Sequence, residues 1–197
     1  MLRLVGAFGD MTSPEKNWPH APIQPLRQLL SEIQACRACE AHLPLGPKPI
    51  LRASTTAILL VVGQAPGRKV HETGIPWNDP SGDRLRDWLQ LKREEFYDDH
   101  RIAIVPTGFC YPGTGKHGDF PPRPECAPLW HPRLRALLPN LRLTLLVGSH
   151  AQAFYLRNHR KSSLAETVRA HHDYLPDFFP LPHPSPEINF GSNNIHG

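Results

Sequence analysis

The sequence predicts an α/β fold: a three-layer αβα sandwich around a central, mostly parallel four-stranded sheet. Three observations predict it. Short apolar runs recur at 56–62, 101–105, 143–147 and 178–181, the first of them rich in β-branched residues, with helix-like stretches between them. Those runs lead into glycine or proline turns and carry few polar residues, as parallel strands buried on both faces do. The length of 197 residues suits one domain built on a single core.

The elements follow in order. Residues 1–25 are expected to form a flexible arm, because Met11 to Pro25 is polar and rich in proline. Residues 26–197 then form a single domain. Leu26 to Cys36 reads as a helix, with Leu26, Leu29, Leu30 and Ile33 at helical spacing. Cys36 to Pro49 reads as loop. Thr56 to Val62 is the first strand, and Gly63 to Gly67 its tight exit turn. Ser81 to Leu91 is an amphipathic helix that gathers Leu85, Trp88 and Leu89 on one face. Arg101 to Val105 and Leu143 to Val147 are the next strands. Gly148 opens a helix through Ala151, Phe154 and Tyr155, and Phe178 to Leu181 is the last strand. Ligands of such sheets bind beyond the carboxyl ends of the strands. The turns at Gly63, Pro106–Cys110, Gly148 and His183 all fall there.

Composition narrows the function. The 23 prolines predict stiff, irregular loops. A formal net charge of +4 allows a polyanionic partner, since lysine and arginine displace counterions from phosphate. No apolar run reaches the roughly 20 residues of a membrane span, so no membrane partner is expected. The apolar start from Met1 to Phe8 is too short for a signal peptide, and a cytoplasmic monomer is expected.

Four cysteines in a cytoplasmic chain are rarely disulfides. Cys36 and Cys39 form a close pair, and Cys110 and Cys126 lie in proline-rich segments read as loops. Two close and two distant thiolates can converge on one metal centre, and all-thiolate ligation suits an iron–sulfur cluster or zinc. Four separately buried cysteines are the plainer alternative. The turn Gly63–Gln64–Ala65–Pro66–Gly67 has glycine at both ends, which lets a backbone approach a ligand closely. His183–Pro184–Ser185 places a histidine at the end of a strand, where it can donate a hydrogen bond to charge on a leaving group.

Taken together, these segments resemble the uracil-DNA glycosylase superfamily in its iron–sulfur branch, nearest to families four and five. Gly63-Gln64-Ala65-Pro66-Gly67 resembles the family's first motif and His183-Pro184-Ser185 its second. Gly74-Ile75-Pro76-Trp77 is similar to the segment whose aromatic ring stacks on the extruded base, and Ser81-Gly82 follows as in the family. The resemblance spans 26–185. It implies a DNA glycosylase of base excision repair that flips a damaged base into a pocket and hydrolyses its N-glycosidic bond. It further implies a [4Fe–4S] cluster on Cys36, Cys39, Cys110 and Cys126, with zinc as the alternative metal.

By the same resemblance, His183 stabilises charge on the departing base and Trp77 stacks on it. Gly63, Ala65, Pro66, Gly67 and Ser185 belong to the base and DNA site. Gln64 stands where one family has a glutamate and cannot ionise, so Asp79 becomes the candidate acid, with helix capping as its other role. Pro106 stands where relatives carry a base-reading asparagine, and Thr107 or Asn78 is the candidate substitute. Lys116 is expected to track phosphate. His117 lies where one branch has a histidine that bonds to the abasic sugar; without that branch's basic motif it reads as an exposed loop histidine. Asn189 is placed near the damaged strand. Two other readings stay open: a catalytically silent DNA-binding protein of the same fold, and a small-molecule nucleoside or redox protein with a structural metal.

Overall fold

The computed structural model describes residues 23–116 and 118–185. The expected arm through residue 22, His117, Asn189 and the rest of the C-terminal tail lie outside the described residues. Helix α1 (Ile23–Gln34) takes in three residues that the sequence reading gave to the arm.

Strand β1 (Leu59–Val62) leads through helices α2 (Arg68–Thr73), α3 (Pro80–Leu89) and α4 (Arg93–Phe96) to β2 (Ile102–Ile104). A small hairpin, β3 (Thr114–Gly115) with β4 (Gly118–Asp119), and helix α5 (Cys126–Ala136) precede β5 (Leu143–Val147). Helices α6 (Ser149–Leu156) and α7 (Leu164–Arg169) then lead to β6 (Phe178–Leu181). The sheet order is β2-β1-β5-β6, and every pairing in it is parallel. The expected sheet is therefore present, and it is wholly parallel.

The strands are buried on both faces, with period-two alternation. Leu60, Val62, Ala103, Val105 and Leu146 face a core shared with α1, α5 and α6. Leu59, Val61, Ile102, Ile104, Leu145 and Val147 face a second core built with Leu85 and Leu89 of α3 and Phe96 of α4. Burial at this scale stabilises by about 1.5–3 kcal/mol per large side chain. Helices on both faces of one parallel sheet give the three layers.

Chain direction positions the site. From β1 the chain moves to β2 on one side; from β5 it moves to β6 on the other. The crevice between the ends of β1 and β5 is thus a topological switch point, where loops diverge and a ligand can enter.

Candidate active site and thiol cage

A cleft of about 130 Å³ opens at this switch point. Its walls are the Gly63–Gly67 turn after β1, Pro106 after β2 and His183 after β6. Pro76, Trp77, Asp79 and Ser81 close it from the segment leading into α3, and Asp119 reaches it from the β3–β4 hairpin.

Trp77 is held in an unusual backbone state. Its φ is 57°, a left-handed conformation that bulky residues rarely adopt. Its carbonyl explains Gly82, since a Cβ on that glycine would lie 1.8 Å from Trp77 O. Arg86, itself buried, donates to the same carbonyl at 3.2 Å. The indole lies over Gly63, where a Cβ would come within 2.7 Å of it. It also stacks with His183 at 5.8 Å between centroids and 30° between planes. Strain of this kind gathers at functional sites because surrounding contacts over-determine it.

Asp79 caps α3, its Oδ1 accepting from the Gly82 N–H at 2.7 Å. It also lines the cleft, so the capping role and a position in the cleft coexist. His183 sits against Gly148 (φ 86°), where a Cβ would meet His183 Cβ at 3.4 Å. Burial lowers the proton affinity of the imidazole, and the nearby Asp79 charge pulls the other way. The ring is neutral at pH 7 and keeps one N–H to donate.

The remaining sequence candidates fall in different places. Gln64, Ala65, Pro66 and Gly67 line the cleft. Ser185 uses its carbonyl to accept from Arg84 at 2.8 Å. Thr107 is buried, and its hydroxyl donates to the Gly63 and Gln64 carbonyls at 3.1 and 2.6 Å, pinning the turn. Asn78 Oδ1 accepts from Arg93 at 2.9 Å. Neither Thr107 nor Asn78 is among the residues that line the cleft. Lys116 is exposed at the hairpin turn.

The sequence reading missed two groups. Asp119 lies on a hairpin whose two-residue strands carry no apolar alternation. His131, 1% exposed, fixes the cleft wall from behind. Its Nε2–H donates to Pro106 O at 2.9 Å, while its Nδ1 accepts from the Tyr155 hydroxyl at 2.8 Å. The carbonyl can only accept, which sets the tautomer. Burial drives the His131 pKa down to about 4.

The profile of the uracil DNA glycosylase superfamily matches residues 52–194, well over half of the chain. The chain belongs to this superfamily. Within the matched span lie the Gly63–Gly67 turn, Asp79, His183 and two of the four cysteines.

In this superfamily member the four cysteines border one small apolar cavity of about 20 Å³, together with Leu43, Phe109 and Trp130. Cys36 and Cys39 come from the segment after α1, Cys110 from beyond β2, and Cys126 from the start of α5. Cys126 therefore opens a helix and does not lie in a loop as the sequence reading had it. All four are free thiols. Burial raises Cys110 to about 11 and Cys126 to about 12, so both are protonated until something replaces the proton. The Phe109 N–H donates to Cys126 Sγ at 3.4 Å. Among the described residues, no three His, Cys, Asp or Glu side chains converge as ligands of a single ion. The donor set itself, four thiols with apolar walls and an N–H aimed at sulfur, suits a centre held by thiolates. No helix among the described residues is long and apolar enough to cross a membrane.

Proposed function

We propose that this superfamily member is a DNA glycosylase of base excision repair that hydrolyses the N-glycosidic bond of uracil or a related deaminated base. The observation that carries the reading is the placement of Trp77, His183 and Asp79 around a single cleft. A cleft of this size suits one ring, on the scale of the roughly 150 Å³ cavity that takes up benzene. The target bond is out of reach inside a base stack, so the nucleotide must be extruded first.

As the bond between sugar and base breaks, its electron pair leaves with the base and positive charge grows on the sugar. The neutral His183 donates its N–H to the oxygen on which the base gathers negative charge. Asp79 keeps Oδ1 on the helix cap, and its Oδ2 faces the sugar cation or orients water. The water oxygen bonds to the anomeric carbon, and its proton balances the base anion. Gln64 positions water without ionising. Trp77 supplies an apolar face for the base.

Cys36, Cys39, Cys110 and Cys126 would hold a [4Fe–4S] cluster, with zinc as the alternative; when bound, such a group supplies a structural cross-link between α1, β2 and α5. The free thiols go with a cytoplasmic setting, where cysteines stay reduced. The protein is read as acting on DNA as a monomer.

The test is base release from duplex and single strands carrying uracil, hypoxanthine or xanthine, scored as alkali-labile sites. Release by the parent protein, and its loss in His183→Ala and Asp79→Ala, is expected. Salt-sensitive binding without release at any lesion would overturn the enzymatic reading.

A further inference from the structure

The cleft holds a second carboxylate. Asp119 projects from β4 at the end of the Gly63–Gly67 turn opposite to the one Trp77 covers: a Cβ on Gly67 would lie 3.1 Å from Asp119 Oδ2. Its other oxygen is tied down. The Tyr111 hydroxyl donates to Thr114 Oγ1 at 2.6 Å, and the Thr114 hydroxyl donates in turn to Asp119 Oδ1. This chain of hydroxyls fixes the carboxylate and leaves Oδ2 against the cleft. Gly67 has no side chain to cover it.

A carboxylate is a poor neighbour for a phosphate backbone, since like charges repel at close range. Its place beside a base-sized cleft therefore calls for a donor on the base. An ionised carboxylate only accepts hydrogen bonds. Pro106, on the β2 side of the cleft, supplies no amide donor or acceptor from its side chain.

Resting on the glycosylase reading, we infer that Asp119 is the specificity-determining residue of this cleft, accepting the ring N–H of an extruded deaminated base. Deamination changes one ring nitrogen from acceptor to donor: cytosine N3 becomes uracil N3–H, and adenine N1 becomes hypoxanthine N1–H. Oδ2 of Asp119 forms a charge-assisted hydrogen bond with the N–H and meets only a lone pair on the parent base. With Oδ1 occupied by Thr114, the contact is single, and it suits a pyrimidine or a purine that carries the N–H.

The test titrates the full chain with the free bases uracil, cytosine, hypoxanthine and adenine, followed by tryptophan fluorescence. The parent protein is expected to prefer the deaminated member of a pair by about tenfold, the scale of one hydrogen bond to a charged group. Asp119→Ala should bring the two members of the pair within about twofold. Thr114→Val keeps the carboxylate but frees Oδ1 from the hydroxyl chain, and should weaken the preference to a value between those of the parent and Asp119→Ala. A preference that survives Asp119→Ala, is lost equally in Thr114→Val, or is missing from the parent protein overturns the inference. Base release from DNA is measured alongside. Release without dependence of base choice on Asp119 removes this inference and leaves the glycosylase standing; an Asp119-dependent preference without release does the reverse.

Discussion

The cleft and the thiol cage both draw on the chain that leaves β2 and are built on opposite principles. The cleft collects its polar groups on the exits of β1 and β6 and on the cap of α3, each held by a hydrogen bond or by packing against glycine. The cage collects thiols from segments distant in sequence and walls them with Leu43, Phe109 and Trp130. One is placed by the sheet; the other ties down chain that the sheet does not reach. Chemistry can be lost from the cleft without loss of fold, while damage to the cage should spread through the structure.

The sharpest break of this contrast comes from the cage. On the proposed cluster reading, Cys110→Ser with Cys126→Ser should abolish the binding of iron and sulfide and destabilise the protein by several kcal/mol, since a bound centre contributes folding free energy directly. Metal analysis and urea unfolding check it. A doubly substituted protein with unchanged midpoint would show that the cage is held by its apolar walls alone.

The cleft should respond the other way. His183→Ala is expected to lower base release by about 10²–10³-fold, the effect of removing one donor to a developing anion, with little change in unfolding. Asp79→Asn and Asp79→Ala separate two roles at one position. Asparagine caps helices well, so Asp79→Asn should keep stability and lose rate. Asp79→Ala should lose rate and about 1 kcal/mol of stability. Equal rates in Asp79→Asn and the parent protein would leave the carboxylate with capping alone. Because burial lowers the His183 pKa from the ordinary imidazole value, the neutral donor predominates at pH 7, and release should decline only as pH falls through that lowered pKa.

The two regions also differ in how much of them the sequence displayed. β5 and β6 fall on their expected bounds, because short, mostly apolar runs between turn signals leave little else for them to be. Gly63 and His183 were legible because each follows a strand at a recognisable turn, whereas Trp77 and Asp79, in the segment leading into α3, were picked out by resemblance to the family's motif. Helix α5 was hidden by Pro128 and Pro132. Pro128 lies in the first turn, where a missing N–H costs little, while Pro132 lies in the interior and obscures the helical pattern. Asp119 was invisible because its strand is two residues long, and the clue available was the turn signal of Gly118 (φ 112°). His131 gave no local signal, since its partners Pro106 and Tyr155 are 25 and 24 residues away.

His131 joins the two regions, stacking on Phe109 of the cage wall at 5.7 Å while it holds Pro106 O on the cleft side. Its folded pKa of about 4 lies below the ordinary 6.5, so the unfolded chain binds a proton that the native chain refuses. Stability from this group is full above pH 6.5 and is lost as pH falls towards 4, by up to about 3 kcal/mol. His131→Phe should flatten that slope. At pH 7 the variant should be less stable by about 1–3 kcal/mol, because Pro106 O and the Tyr155 hydroxyl lose their buried partner. Urea unfolding at pH 7 and pH 5 separates the two effects. An unchanged slope would mean that acid acts elsewhere.

The smallest expected effect decides which side faces DNA. Lys116 lies at the turn of the hairpin that carries Asp119 to the cleft, whereas Arg37 is exposed between Cys36 and Cys39 and donates to Cys36 O at 3.0 Å. If the cleft side meets the phosphates, Lys116→Ala should weaken DNA binding a few-fold at every sequence and lower the slope of log K against log salt by about 1. Arg37→Gln should leave that slope alone. The hairpin would then bring a cation for the backbone and a carboxylate for the base on one short ribbon. The reverse pattern would turn the cage side towards DNA and leave the cleft without a route by which an extruded base could reach it.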